Sequence, residues 1–287
     1  TLFRSDIEAV NAVMNRAVAY AGTAKAAVDI ACHDILGKDS GLALYKLLGG
    51  LSNTIETDMT VGIDAPEIMA AHAKEHIKAG FRVIKTKVGT DITEDLARVK
   101  AIREAVGDDV KIRLDANQGW NAREAVELLK RLNEYDIELV EQPVRRFDFE
   151  GLKYVTANSP VPVMADESCW DSRDALHLVS ERAVDFINIK LMKCGGLWEA
   201  KKIVNIAEAA GVEIMLGCMA EESGIAINAA AALGAALGNI TRADLDASFS
   251  LKKLPYEGGF TIENTKDLVL SEAPGLGLSR LKEEMFQ

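Results

Sequence analysis

Two hydrophobic periods alternate along this chain. Short apolar runs, bounded by glycine, asparagine or charge, are separated by longer stretches with an apolar residue every third or fourth position. The first pattern is that of buried strands and the second that of amphipathic helices. Strands are expected at Thr54–Val61, Arg82–Lys87, Val110–Asp115, Ile137–Glu141, Val161–Ala165, Ala183–Lys190, Val212–Leu216 and Arg242–Asp246. Helices are expected between them at 65–79, 93–106, 121–134, 148–158, 171–181, 196–210 and 223–237. Eight strands with seven intervening helices read as an α/β barrel of the TIM type whose last helix is short, altered or absent. Upstream, 5–20 and 22–36 read as helices, with Ser5 and Glu8 as a capping box and Gly37 as the end of the second. A short helix at Ala43–Leu47 stops at Gly49-Gly50, where a new domain is expected to begin. Beyond the last strand, Tyr256–Leu270 alternates around Gly258-Gly259 as an irregular strand pair does. The chain opens at Thr1 within a helical pattern, so an N-terminal portion is expected to precede it.

The polar residues that end the strands carry the chemistry, because a barrel of this kind places its active site at the strands' C-terminal ends. Three successive strands end in a carboxylate, Asp115, Glu141 and Asp166, at spacings of 26 and 25 residues. Neighbouring strands lie about 4.8 Å apart, so the three acids should converge and repel unless a cation sits among them. An oxygen-only set favours Mg²⁺ or a similar hard ion. Glu167 is a rival to Asp166 as ligand, and strand alternation alone does not choose between them. Asn117 and Gln142, beside the acids, read as hydrogen-bonding supports.

Strand two ends in Lys85-Thr86-Lys87 and strand six in Lys190. Alternation points Lys85 and Lys87 inward together, and inward lysines are costly unless paired or functional. Strands two and six are opposite in an eight-stranded ring, so Lys87 and Lys190 are expected to flank the acids. One amine then takes a proton from a carbon beside a carboxylate, the metal stabilises the enediolate, and the other amine returns a proton from the opposite face. Racemisation or epimerisation is the result. A lysine base must be deprotonated, which nearby cations favour.

Composition narrows the partners. The 287 residues are 48% apolar and 27% charged, with a net charge of −11 and no basic run, so nucleic acid and anionic membranes are not expected partners. The four cysteines are scattered, without CxxC, and the four histidines read as helix-face residues, so no zinc site is expected. Free thiols suit the cytoplasm. No signal peptide or spanning helix is read.

Lys85-Thr86-Lys87, Asp115-Ala116-Asn117, Val140-Glu141-Gln142-Pro143, Asp166-Glu167 and Asn188-Ile189-Lys190 together resemble the enolase superfamily, in its muconate-lactonising-enzyme subgroup. The resemblance implies a (β/α)7β barrel at 51–255, a helical remnant of a capping domain at 1–50, and a C-terminal segment, 256–287, returning to that cap. It implies one Mg²⁺ per active site on Asp115, Glu141 and Asp166, Lys87 and Lys190 as the acid/base pair, and Lys85 as their helper. Arg242-Ala243-Asp244-Leu245-Asp246 is similar to the Asp-x-Asp motif of dipeptide epimerases of the L-Ala-D/L-Glu type, in which the two aspartates hold the substrate ammonium. Thr60 matches a substrate-contacting threonine there. The Gly217–Ala220 loop, with Cys218, Met219 and Ala220, matches the one whose backbone meets the peptide carboxylate. The implied reaction is epimerisation of a dipeptide at the α-carbon of its C-terminal residue, by 1,1-proton transfer through an enediolate. N-acylamino-acid racemase, o-succinylbenzoate synthase and cycloisomerase are the alternatives. Ser223 stands where related epimerases carry a basic residue, after Glu221-Glu222, so a neutral or cationic dipeptide is expected rather than an acidic one. A homo-oligomer is the expected assembly.

Overall fold

A computed structural model describes residues 6–251 and 254–282. Helices α1 (Ile7–Ala17), α2 (Gly22–Ser40) and α3 (Leu44–Leu48) come first. Strands β1 (Thr54–Glu56) and β2 (Met59–Val61) follow, then α4 (Pro66–Ala79), β3 (Val83–Lys87), α5 (Ile92–Val106), β4 (Lys111–Asp115), α6 (Ala122–Leu132) and β5 (Ile137–Glu141). The chain continues as α7 (Phe149–Asn158), β6 (Val163–Ala165), α8 (Ser172–Ser180), β7 (Phe186–Ile189), α9 (Leu191–Cys194) and α10 (Leu197–Ala210). It closes with β8 (Glu213–Gly217), α11 (Gly224–Ala236), β9 (Ile240–Asp244), β10 (Tyr256–Gly258), β11 (Phe260–Glu263), β12 (Asp267–Leu270) and β13 (Leu278–Leu281). An eight-stranded sheet follows chain order from β2 to β9. With helices between its strands, this is the α/β, modified TIM-barrel class that the sequence implies.

The described residues form two compact units, one from 6–57, Ile189–Asn205, 215–251 and 254–282, the other from Asp58–Asn188 and Ile206–Ile214. In the second unit β2 to β6 pair in parallel, and Lys87, Asp115 and Glu141 stand level at the strand ends. Ile84, Ile112, Leu114, Leu139 and Val140 are fully buried in these strands. Helix α6 shows why the helices pack where they do. Asn121 and Glu124 form a reciprocal capping box, and Ala125, Val126, Leu128, Leu129 and Leu132 form its buried stripe. In the first unit, β1 pairs with β12 and β12 with β11, all antiparallel.

Several expectations are corrected. Thr54–Val61 is two strands in two sheets, because the chain turns at Thr57-Asp58. Thr57 Oγ1 accepts from Leu245 N at 2.7 Å, while Asp58 accepts from Arg113 at 2.7 Å. Gly37 does not end α2. The helix runs to Ser40 and stops at Gly41, whose φ of 71° is left-handed. Gly37 is glycine because a Cβ there would lie 2.6 Å from Gly275 Cα. Ser5 lies outside the described residues, and Asp6 caps α1 through Ala9 N. The expected strand 242–246 ends at Asp244, and Asp246 opens a 3-10 turn, Asp246–Phe249, in place of an eighth helix. Asp244 and Asp246 therefore do not alternate along one strand. Lys190 follows β7 rather than ending it, and caps the single turn α9. The expected strand pair at 256–270 is divided: β10 pairs with β13 and β11 with β12.

Candidate active site

In the second unit, Lys85 and Lys87 converge on the acids. Lys85 Nζ is 3.1 Å from Asp115 Oδ2 and 2.7 Å from Glu141 Oε2, with all three side chains buried. Lys87 Nζ donates to Asp115 Oδ2 at 2.6 Å and to Asn117 Oδ1 at 2.8 Å, and its side chain remains 30% exposed. Of the two lysines, Lys87 is the one open to solvent. Burial raises the Asp115 carboxyl, but Lys85 and Lys87 outweigh it and hold the group below the usual carboxylate range. Thr60 stands in register with Lys85 on β2.

The acids are fixed by hydrogen bonds from residues beside them. Asn188 Nδ2 donates to Glu141 Oε1 at 2.6 Å. Gln142 is wholly buried, with a left-handed φ of 39°. Its Oε1 accepts from Asp166 N and Ser168 N, and its Nε2 donates to Ser168 Oγ and Val144 O. Gln142 thus staples the end of β5 to the loop that carries Asp166. Asn117, with a φ of 40°, donates Nδ2 to Glu167 Oε1 at 3.3 Å and its backbone N–H to Asp115 Oδ1.

Donor chemistry decides whether this cluster suits a cation. Asp115, Glu141, Asp166 and Glu167 supply carboxylate oxygens, and Lys85 and Lys87 bring ammoniums against the first two. Burial first, then Asp166 and Asp115, raise the Glu167 carboxyl, so the three acids lie within reach of one another's charge. As the side chains stand, with Lys85 between Asp115 and Glu141, no three acidic, His or Cys groups among the described residues close on one point. The oxygen-only donors fit a hard divalent ion.

The first unit holds the rest of the expected residues. Cys218 is buried, and its Sγ lies 3.8 Å from Asp246 Oδ1. Burial, Asp244 and Asp246 push its thiol far upward. Cys218 N donates to Asp244 O at 3.0 Å, so the two strand ends are joined, and Asp244 is 5% exposed. Met219 N donates to Glu222 Oε2 at 2.7 Å, and Ala220 is exposed. Burial raises the Glu222 carboxyl, and Lys190 works against that rise. Ser223 is the N-cap of α11, accepting from Ala226 N.

Sequence reasoning missed a second charged layer. Arg113 lies two residues before Asp115 and is buried between Asp58 Oδ2, at 2.7 Å, and Glu138 Oε2, at 2.6 Å. Its signal was present, since Arg113 is an inward position of the strand whose last residue is Asp115. Glu222 also went unassigned.

Residues 68–284 match the family model described as enolase C-terminal domain-like. Residues 4–49 match that of the mandelate racemase / muconate lactonizing enzyme N-terminal domain. The chain belongs to the enolase superfamily. Within it, the hydrophobic dipeptide epimerase of Enterococcus faecalis is 57% identical over 274 residues, 96% of this chain and 77% of that protein. The L-Ala-D/L-Glu epimerase of Clostridium acetobutylicum is 44% identical, over 95% of this chain and 76% of its own length. The crystal structure of dipeptide epimerase from Enterococcus faecalis complexed with Mg and the dipeptide L-Leu-L-Tyr matches with a TM-score of 0.94, covering 96% of this chain and 78% of that one.

Proposed function

We propose that this member of the enolase superfamily is an isomerase, a Mg²⁺-dependent dipeptide epimerase that inverts the α-carbon of the C-terminal residue. The observation that carries the reading is the array at the ends of β3, β4 and β5, where Lys87, Asp115 and Glu141 stand level and the buried Lys85 ammonium lies against both acids. It sits in a chain 57% identical to a hydrophobic dipeptide epimerase.

Asp115, Glu141 and Asp166 would hold the ion, which when bound draws negative charge onto the substrate carboxylate as the α-proton leaves. Lys87 and Lys190 move the proton, each serving one face of the carbon, so that removal by one and return by the other inverts the centre. Lys85 stays an ammonium against Asp115 and Glu141. Asp244 and Asp246 take the substrate's ammonium. Thr60 and the Cys218–Ala220 backbone orient the peptide.

We infer a neutral, apolar dipeptide. The loop 217–223 contains no basic residue, Ser223 is spent as a helix cap, and Glu222 is turned inward onto Met219 N. We keep 1–50, 51–255 and 256–287 as the cap remnant, the catalytic barrel and the returning segment. A cytoplasmic setting suits the four free cysteines. A homo-oligomer suits exposed Val18, Tyr20 and Leu51.

The test is exchange of the substrate α-proton in deuterated water, with Mg²⁺ and with a chelator, across apolar, cationic and acidic dipeptides and N-acyl amino acids. Exchange only with Mg²⁺, fastest for apolar dipeptides, is expected. An Asp244→Asn or Asp246→Asn variant should lose dipeptide activity. A wild type that prefers N-acyl amino acids, indifferent to both changes, would overturn the assignment.

A further inference from the structure

Helix α2 presents one face to the turn that follows Lys190. Gly22, Lys25, Ala26, Asp29 and His33 recur at helical spacing and share that face. A Cβ on Gly22 would stand 2.4 Å from Met192 O and 2.5 Å from Lys193 O, so helix and turn meet backbone to backbone. A Cβ on Gly195 would stand 3.5 Å from Lys25 Cβ. On Gly196 it would meet Asp29 Oδ2 at 2.3 Å. Glycine at 196 leaves the space that the Asp29 carboxylate fills.

Asp29 is wholly buried and its two oxygens are engaged by different elements. Asn11 Nδ2, from α1, donates to Oδ1 at 2.7 Å. Leu197 N donates to Oδ2 at 2.6 Å, Trp198 N lies 3.4 Å from it, and His33 Nδ1 is 3.3 Å away. A carboxylate from one helix thereby caps the N-terminus of another, α10. Trp198 packs beside it on Ile7, Val10 and Cys32. The segment so gripped closes directly on Lys190. Lys190 O accepts from Lys193 N and Cys194 N, and Leu191 O accepts from Gly195 N and Gly196 N.

We propose that Asp29 is a positioning residue for Lys190, fixing from α2 the turn that the lysine opens. The inference rests on the assignment of Lys190 as one of the two proton-transferring lysines. An asparagine cannot replace the carboxylate: one oxygen faces the Asn11 amide and the other faces backbone N–H groups, so an NH₂ set at either place opposes a donor.

The experiment compares Asp29→Asn, Gly22→Ala, Lys190→Ala and Lys87→Ala in the full chain with Mg²⁺. Deuterium uptake at the α-carbon is followed separately from each epimer of an apolar dipeptide. The two lysine variants should each abolish uptake from a different epimer. Asp29→Asn should lower uptake about tenfold or more from the epimer that Lys190→Ala abolishes, and leave the other nearly unchanged. Gly22→Ala, which pushes on the same turn and keeps the aspartate, should act in the same direction. Equal losses for both epimers, or a loss on the Lys87 side, overturn the proposal.

Amide hydrogen exchange of residues 190–198 is read in parallel and needs no turnover. Asp29→Asn should lose protection at Leu197 and Trp198, and unchanged protection there also overturns the anchor. A wild type that takes up deuterium from neither epimer removes the functional reading, while the amide exchange still decides whether Asp29 holds the turn.

Discussion

At the scale of single residues, Lys85 holds two buried acids in place. Its ammonium is buried between Asp115 and Glu141, and removing it leaves two carboxylates in the interior with less compensation. Breaking a buried pair by deleting one partner costs about 3–5 kcal/mol. Lys85→Met is therefore expected to lower the unfolding free energy by about that much in metal-free buffer, read from urea titration. A loss below about 1 kcal/mol would mean that the pair contributes little. Glu222 gives the opposite sign to most acids. Burial raises its carboxyl in the folded state, so the folded chain holds a proton that the unfolded chain has released. Stability from this group is greatest below the ordinary glutamate value and falls as pH rises through the raised one. Glu222→Gln should remove that slope, so that the variant gains on the wild type as pH rises. Urea midpoints of the two proteins at acid and neutral pH check this, and a wild type that gains on the variant with rising pH contradicts it.

At the scale of elements, the loops after β3 and β4 are locked against each other by missing side chains. A Cβ on Gly119 would lie 2.0 Å from Gly89 O, and one on Gly89 would lie 2.1 Å from Ala116 O. Asp95, at the start of α5, joins the same loops, accepting from Gly89 N and from Trp120 Nε1. These loops follow Lys87 and Asp115 directly, so their spacing sets that of the two side chains, 2.6 Å apart. Gly119→Ala must part them, because the obstacle is backbone. The expected cost is about 1–3 kcal/mol, with a fall in turnover larger than any change in KM. Thermal unfolding and steady-state kinetics read the two effects, and an unaltered turnover would show that the loops adjust without moving Lys87. Asp115, Glu141 and Lys87 were readable because a strand's last residue is marked by the end of its apolar run. Asp29 and Asp58 were not, because their partners lie 168 and 55 residues away and only the tertiary fold joins them. The end of β9 was misjudged for a related reason: Leu245 N bonds to Thr57 rather than to a strand neighbour.

At the scale of the whole molecule, period alone revealed the βα alternation, since each helix needs one buried stripe and each strand two buried faces. Which carboxylates folding brings near one another could not be read from period: Asp115 and Glu141 meet at Lys85, and Asp166 and Asp115 both act on the Glu167 carboxyl. A cation bound there interacts with the folded state alone, because only folding gathers those side chains. Linkage then requires Mg²⁺ to raise stability by an amount that grows with its concentration, reaching about 2.7 kcal/mol at a hundred times Kd. Thermal unfolding with Mg²⁺ and with EDTA should differ accordingly, and Asp115→Asn should shrink the difference. Lys85→Met should enlarge it, since the ion then meets less competition from an ammonium for Asp115 and Glu141. A melting temperature indifferent to Mg²⁺ in all three proteins would mean that the carboxylates balance their charge by lysine alone, and the metal would have to be sought elsewhere.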